Sequence, residues 1–177
     1  MKIGKTRLEV FHGEVTGPDV EAVVNPANTM LWMGGGTSAV IRKAGGETIE
    51  KEALVKAPAE IGNVVVTGGG TLKSRWVFHA VITDQDLSTN EKFIQQTILA
   101  CYKKADEIRC KSIAVPLLNS IEYDVEIHIA AHAIIEETVD YLVRENSSLE
   151  RVVFIECGET EKDIFTTALY EKFTKHG

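Results

Sequence analysis

Six short apolar runs, with helical stretches between most of them, constrain this chain more than any other feature. They are Arg7 to Phe11, Ala22 to Val24, Val64 to Thr67, Trp76 to Ile82, Ser112 to Val115 and Arg151 to Ile155. Several are apolar on consecutive positions, the mark of strands covered on both faces. A sheet of that kind needs helices above and below, and the intervening segments provide them. Ser88-Thr89-Asn90-Glu91 has the form of a capping box, and Ile94, Ile98, Cys101, Ala105 and Ile108 follow it at helical spacing. Val125 to Arg144 carries an apolar stripe through Ile127, Ala131, Ile134, Ile135, Thr138 and Leu142. Thr160 to Thr174, with Thr160 and Asp163 as cap signals, is the last expected helix, and Ser38 to Ala44 and Gly46 to Lys56 are two earlier ones. The pattern predicts an α/β chain of three layers, α/β/α. No repeat, Pro-rich linker or low-complexity block offers a boundary, so residues 1–177 are expected to form a single domain.

Composition excludes several function classes. With 44% hydrophobic and 25% charged residues, the chain lies in the globular range rather than the disordered or fibrous ones. A formal net charge of -7 repels phosphate backbones and argues against duplex nucleic acid as a partner. It leaves room for a small anion held locally. Cys101, Cys110 and Cys157 are odd in number and lack any CxxC pairing, which argues against a disulfide framework and a zinc knuckle and suits a reducing, cytoplasmic setting. No run approaches the ~18 apolar residues of a membrane helix, and Met1 to Phe11 has no apolar signal core, so no membrane partner is expected.

The segments that carry chemistry lie early in the chain. Gly13-Glu14-Val15-Thr16 precedes Ala22-Val23-Val24-Asn25-Pro26-Ala27-Asn28, a strand ending in two asparagines. Gly34, Gly35 and Gly36 then open a helix. Bare backbone N–H groups at a helix N-terminus attract anions, and glycine lets the ligand approach the chain. This arrangement resembles the macro domain family, which has a Gly-Asp-Ile-Thr-like segment, an Asn-Ala-Ala-Asn strand end and a Gly-rich loop. The resemblance continues through Val64-Val65-Val66-Thr67-Gly68, Val77-Phe78-His79, Cys101-Tyr102 and Ile113-Ala114-Val115-Pro116. It implies a mixed central sheet of about six strands and a cleft for ADP-ribose, or a related adenine nucleotide, at the strand ends.

Carried over position by position, the resemblance puts Glu14 and Val15 at the adenine, Asn28 at the distal ribose and Asn25 in support of the loop. Gly34, Gly35 and Gly36 fall near the distal ribose and diphosphate, and Asn119, Ser120, Ile121, Glu122 and Tyr123 form the second phosphate-facing loop. Glu156 stands where the family often stacks an aromatic on adenine. In the hydrolytic branch Asn28 is partnered by an acid whose place is taken here by Ser38, so Asn28 and Ser38 are the candidate catalytic pair for ADP-ribosyl or O-acetyl-ADP-ribose esters. The second loop departs from the family, because Ile121 and Asp124 replace its two glycines. A like charge ~4 Å from the diphosphate, from Glu122 or Asp124, costs about 4 kcal/mol at an effective dielectric of ~20. Two function classes therefore stay open: an ADP-ribose binder with or without ester hydrolysis, and a diverged scaffold that acts through a protein partner or another small ligand. An ADP-ribosylated protein is the partner the first class implies; no metal or cofactor is implied, and the oligomeric state is left open.

Three further features have bland readings. His128, His132 and Glu136 are four apart on a helix, but its rise of ~1.5 Å per residue spreads the outer two over ~12 Å, too far for one ion. Gly68-Gly69-Gly70 precedes a strand rather than a helix and reads as a flexible connection. Cys157 has no histidine near it in sequence to act as a base.

Overall fold

The computed structural model describes residues 1–86, 88–118 and 125–175. The six expected strands form, and all but β4 are longer than the apolar runs by a residue or more at the site end. They are β2 (Thr6–His12), β3 (Ala22–Asn28), β4 (Val64–Gly68), β5 (Trp76–Thr83), β6 (Ser112–Pro116) and β7 (Arg151–Glu156). A seventh, β1 (Lys2–Ile3), pairs antiparallel with β2. Two residues are too few to show a period, and the turn at Lys5 folds them back. The sheet order is β1-β2-β7-β6-β3-β5-β4, with the inner strands parallel and only the two edge pairs antiparallel.

Side-chain alternation divides the core into two faces. On one, Val23, Val77, Ala114 and Val153 pack with Ile41 of α1 (Gly36–Gly45) and Ile49 of α2 (Thr48–Val55). On the other, Val24, Phe78, Ile113, Val152 and Phe154 pack under α3 (Glu91–Glu107), α4 (Ile127–Arg144) and α5 (Ile164–Thr174). The consecutive apolar runs are explained by this double burial. Among the described residues no helix is long and apolar enough to cross a membrane.

Two helices are capped otherwise than expected. α3 is capped by Asn90, whose side chain accepts the Phe93 N–H at 3.0 Å. Ser88 instead donates its hydroxyl to Asp86 at 2.9 Å. Asn caps as well as Ser does, and here it is the one adjoining the first helical residue. α5 starts at Ile164 rather than Thr160, because its cap comes from another element. The Glu156 carboxylate at the end of β7 accepts the N–H groups of Asp163 (2.9 Å), Phe165 (2.9 Å) and Thr166 (3.3 Å). The Phe154–Phe165 stack, 5.1 Å between centroids, holds the same junction. The Gly68-Gly69-Gly70 connection is tightly packed rather than loose. A Cβ on Gly69 would lie 1.9 Å from the Ser74 carbonyl, and one on Gly70 would lie 2.0 Å from that of Gly45 at the end of α1.

Candidate functional site

Parallel strands β2, β7, β6, β3 and β5 all end at one edge of the sheet. From β3 the chain proceeds by α1 and α2 towards β4 and β5, and from β6 by α4 to β7 on the opposite side. That divergence is the topological switch point at which open α/β sheets bind ligands. The β3–β6 ladder is short here, pairing only Ala22 with Ile113 and Val23 with Ala114. Beyond Val23 the two strands run unpaired, and Pro26, which has no N–H to give, sits in that stretch.

The β3 end is shaped by a register shift against β5 between Ala27 and Asn28, so that Asn28 pairs with Thr83 and Ile82 is skipped. Such irregularities re-aim side chains beside functional sites. Asn28 is half-buried, and its side-chain amide organises the loop that follows. Oδ1 accepts the N–H groups of Met30 (3.0 Å) and Trp32 (3.3 Å), while Nδ2 donates to the Trp32 carbonyl at 3.2 Å. Leu31 turns the chain at φ +62° and is buried, as is Met33, whose N–H donates to Glu50 Oε2 at 2.6 Å. Arg42 backs that carboxylate at 3.3 Å. The loop is therefore fixed at both ends before the glycines begin.

At Gly34, Gly35 and Gly36 an added Cβ would meet nothing within 4 Å. Gly35 is the N-cap of α1 with no side-chain cap bond, and Gly36 has φ +56°. Among the described residues no side-chain hydrogen bond caps the start of α1, and the glycines before it leave open space where side chains would stand. Helix starts of this kind are where orphan N–H groups and the helix dipole favour an anion.

Behind it runs a buried polar chain across three strands. The Ser38 hydroxyl donates to Asn25 Oδ1 at 2.8 Å and lies 3.3 Å from the Pro26 carbonyl. With Oδ1 so occupied, Asn25 presents Nδ2 to His79 Nδ1 at 3.1 Å. His79 Nε2 lies 2.9 Å from Thr67 Oγ1. Nδ1 is the acceptor, so the ring proton resides on Nε2 and is given to Thr67, whose hydroxyl donates to the Gly68 carbonyl at 3.1 Å. Burial, and secondarily the Lys56 charge, pushes the His79 imidazole down to about 4. No member of the chain is a base able to take the Ser38 proton. The hydroxyl, 6% exposed, anchors α1 to β3.

At the other end of the edge, Glu14 is exposed and Val15 is buried against the α1/α2 face. The Glu14 carbonyl accepts the Gly17 N–H at 3.0 Å, closing a turn on which the Phe11 ring packs. Glu14 lies within electrostatic reach of Cys157, whose thiol is raised by burial, then by Glu161 and Glu14. A raised thiol keeps its proton at neutral pH, which disfavours a nucleophilic role. Glu156, expected at the adenine, is 1% exposed. Its carboxylate is committed to α5 and to His12 Nδ1, 3.0 Å away. Ligand atoms of His12, Glu156 and Asp163 lie within 4.8 Å of one another, yet the N–H groups already bound to Glu156 make this cluster a helix cap. His132 and His128 pair separately with Glu171 (3.0 Å) and Glu126 (3.3 Å). The second loop, Asn119 to Tyr123 with Asp124, lies outside the described residues.

Sequence reasoning left out Trp32, Leu31, Met33, Glu50 and Thr67. His79 is fully buried and hydrogen-bonded at both ring nitrogens. Only the Leu-Trp-Met run before the glycines carried a signal, as apolar residues inside a turn segment.

The macro domain family model matches residues 24–134, from the paired asparagines into the first two turns of α4. The chain belongs to the macro domain family. A macro domain-containing protein of Caldanaerobacter subterraneus subsp. tengcongensis is 31% identical over 177 residues, covering 97% of this chain and 99% of the relative. An uncharacterized protein of Aquifex aeolicus is 34% identical over 153 residues, 86% of this chain and 91% of its own. Among solved structures, the Oceanobacillus iheyensis macrodomain with ADP superposes with a TM-score of 0.86 at 25% identity, covering 99% of this chain and 96% of that one. The Trypanosoma brucei macrodomain in complex with ADP-ribose gives 0.81 at 22% identity, covering 92% and 68%. The sheet and helices described above are thus those of a macro domain fold.

Proposed function

We propose that this macro domain binds ADP-ribose, or a related adenine nucleotide, in the crevice between the β2 and β3 ends. The observation that carries the reading is the uncapped start of α1 behind three glycines whose Cβ positions are all open. Backbone N–H groups there suit a diphosphate, and the structural relatives with ADP and ADP-ribose support that ligand class. Glu14 accepts from the adenine amino group beside Val15, at the end of β2. Asn28 has one Nδ2–H left over from loop bonding and offers it to the distal ribose. Asn25 and Ser38 hold the glycine loop from behind, and by the family resemblance Asn119 to Tyr123, outside the described residues, are assigned to the phosphates. The three free thiols fit the reducing cytoplasm as the place of action.

Ester hydrolysis, where it occurs, is slow and assisted by the substrate. Ser38 has its proton committed to Asn25, so the ligand's own diphosphate or a bound water takes the base's role. Gly35→Ala tests the binding reading. Gly35 has an extended backbone (φ −153°) and room for a methyl, so the variant folds with stability changed by about 0.5 kcal/mol or less. The methyl stands where the diphosphate lies, and calorimetry should show ADP-ribose affinity falling about tenfold or more. Unchanged affinity would place the phosphates elsewhere.

A further inference from the structure

Seven large apolar side chains are exposed among the described residues, and six belong to the N-terminus or to α2, α4 and α5. Single exposed apolar groups on helices are ordinary. Trp32 is different, being 54% exposed between Leu31 and Met33, which are 1% and 0% exposed. Its backbone is bracketed on both sides by the Asn28 amide, and the next N–H is tied to Glu50. The half-exposed indole is thus carried on a hydrogen-bonded backbone immediately before the glycine loop. Trp76, the other tryptophan, already has the Arg75 guanidinium 4.6 Å over its ring. Among the described residues no cation covers Trp32.

We propose that Trp32 is a specificity-determining contact for a planar cationic group joined to the distal ribose. The inference rests on the ADP-ribose reading, which puts that ribose beside Asn28, whose amide holds the Trp32 backbone. An indole face attracts planar cations through its quadrupole. The chain's net charge of -7, with no Lys or Arg between Asn25 and Thr37, favours a cation at this end as it disfavours an anion. Two sources carry that chemistry: the nicotinamide ring of NAD and the guanidinium of an ADP-ribosylated arginine side chain.

The test compares wild type, Trp32→Ala and Trp32→Phe by calorimetry with ADP-ribose, NAD and an arginine-ADP-ribosylated peptide. Trp32→Ala is expected to lose about tenfold more affinity for at least one conjugate than for ADP-ribose, and Trp32→Phe to recover most of it. The conjugate affected identifies the source. In a Trp76→Phe background, which leaves Trp32 as the sole indole, that conjugate should quench fluorescence more than ADP-ribose does. If wild type binds ADP-ribose and Trp32→Ala weakens all three ligands equally or none, the assignment of Trp32 is overturned and the binding reading stands. If wild type does not bind ADP-ribose, the binding reading falls and this inference falls with it.

Discussion

Asn25 and Asn28 are three residues apart on one strand and do different work. Asn28, past the register shift, lies at the surface and builds a loop from its own side-chain amide. Asn25, the register partner of His79, is buried and links α1 to β5 through Ser38 and the imidazole. The neutral His79 has a consequence for stability. Its folded value is depressed to about 4 from an ordinary 6.5, so between those two pH values the unfolded chain binds the extra proton and the native chain does not. This contribution is intact above pH ~6.5 and is lost as pH falls towards 4, by about 3 kcal/mol in total. His79→Gln can accept from Asn25 and donate to Thr67 without titrating. Between pH 7 and pH 4.5, urea unfolding should show wild type losing about 2 kcal/mol more stability than His79→Gln loses. Equal losses would mean that His79 titrates normally in the native state. The two asparagines and the glycines were legible as one strand end followed by a helix start, because Asn-x-x-Asn before Gly-Gly-Gly punctuates the chain there. The partners of Asn25 were not legible, since the pairing of β3 with β5 brings in His79 from 54 positions away.

Element boundaries followed the same logic. The strands were legible because burial on both faces leaves continuous apolar runs. Three of their site ends were missed, since His12, Thr83 and Glu156 are polar and look like loop, whereas the Asn28 end of β3 was legible. Glu156 is the clearest case. Read as a ligand contact in place of an aromatic, it is a cap delivered from a strand to a helix that begins eight residues later. An anionic side chain at a helix N-terminus accepts charge-assisted bonds, and its loss leaves buried donors without partners. Glu156→Ala should destabilise the protein by about 2–3 kcal/mol in urea unfolding. Glu156→Gln should retain part of that, because one amide oxygen can still accept. A Glu156→Ala change below about 0.5 kcal/mol would show that α5 starts independently of β7.

At the scale of the whole molecule, the sheet order places the switch point between β3 and β6, two strands that stop pairing with each other after Val23. The unfavourable field shapes what can bind there. With a net charge of -7 and Arg42 already paired to Glu50, a bound diphosphate depends on backbone N–H groups and the α1 dipole. Salt screens the repulsion, so between about 50 and 300 mM the affinity should stay flat or rise, unlike that of a basic phosphate site. The most direct measurement is calorimetric titration of the full chain with ADP-ribose at low and high salt. The expected result is saturable one-to-one heat whose affinity does not fall with salt. Absence of heat at hundreds of micromolar ADP-ribose would contradict the account, and a steep loss of affinity with salt would contradict a site built from backbone amides.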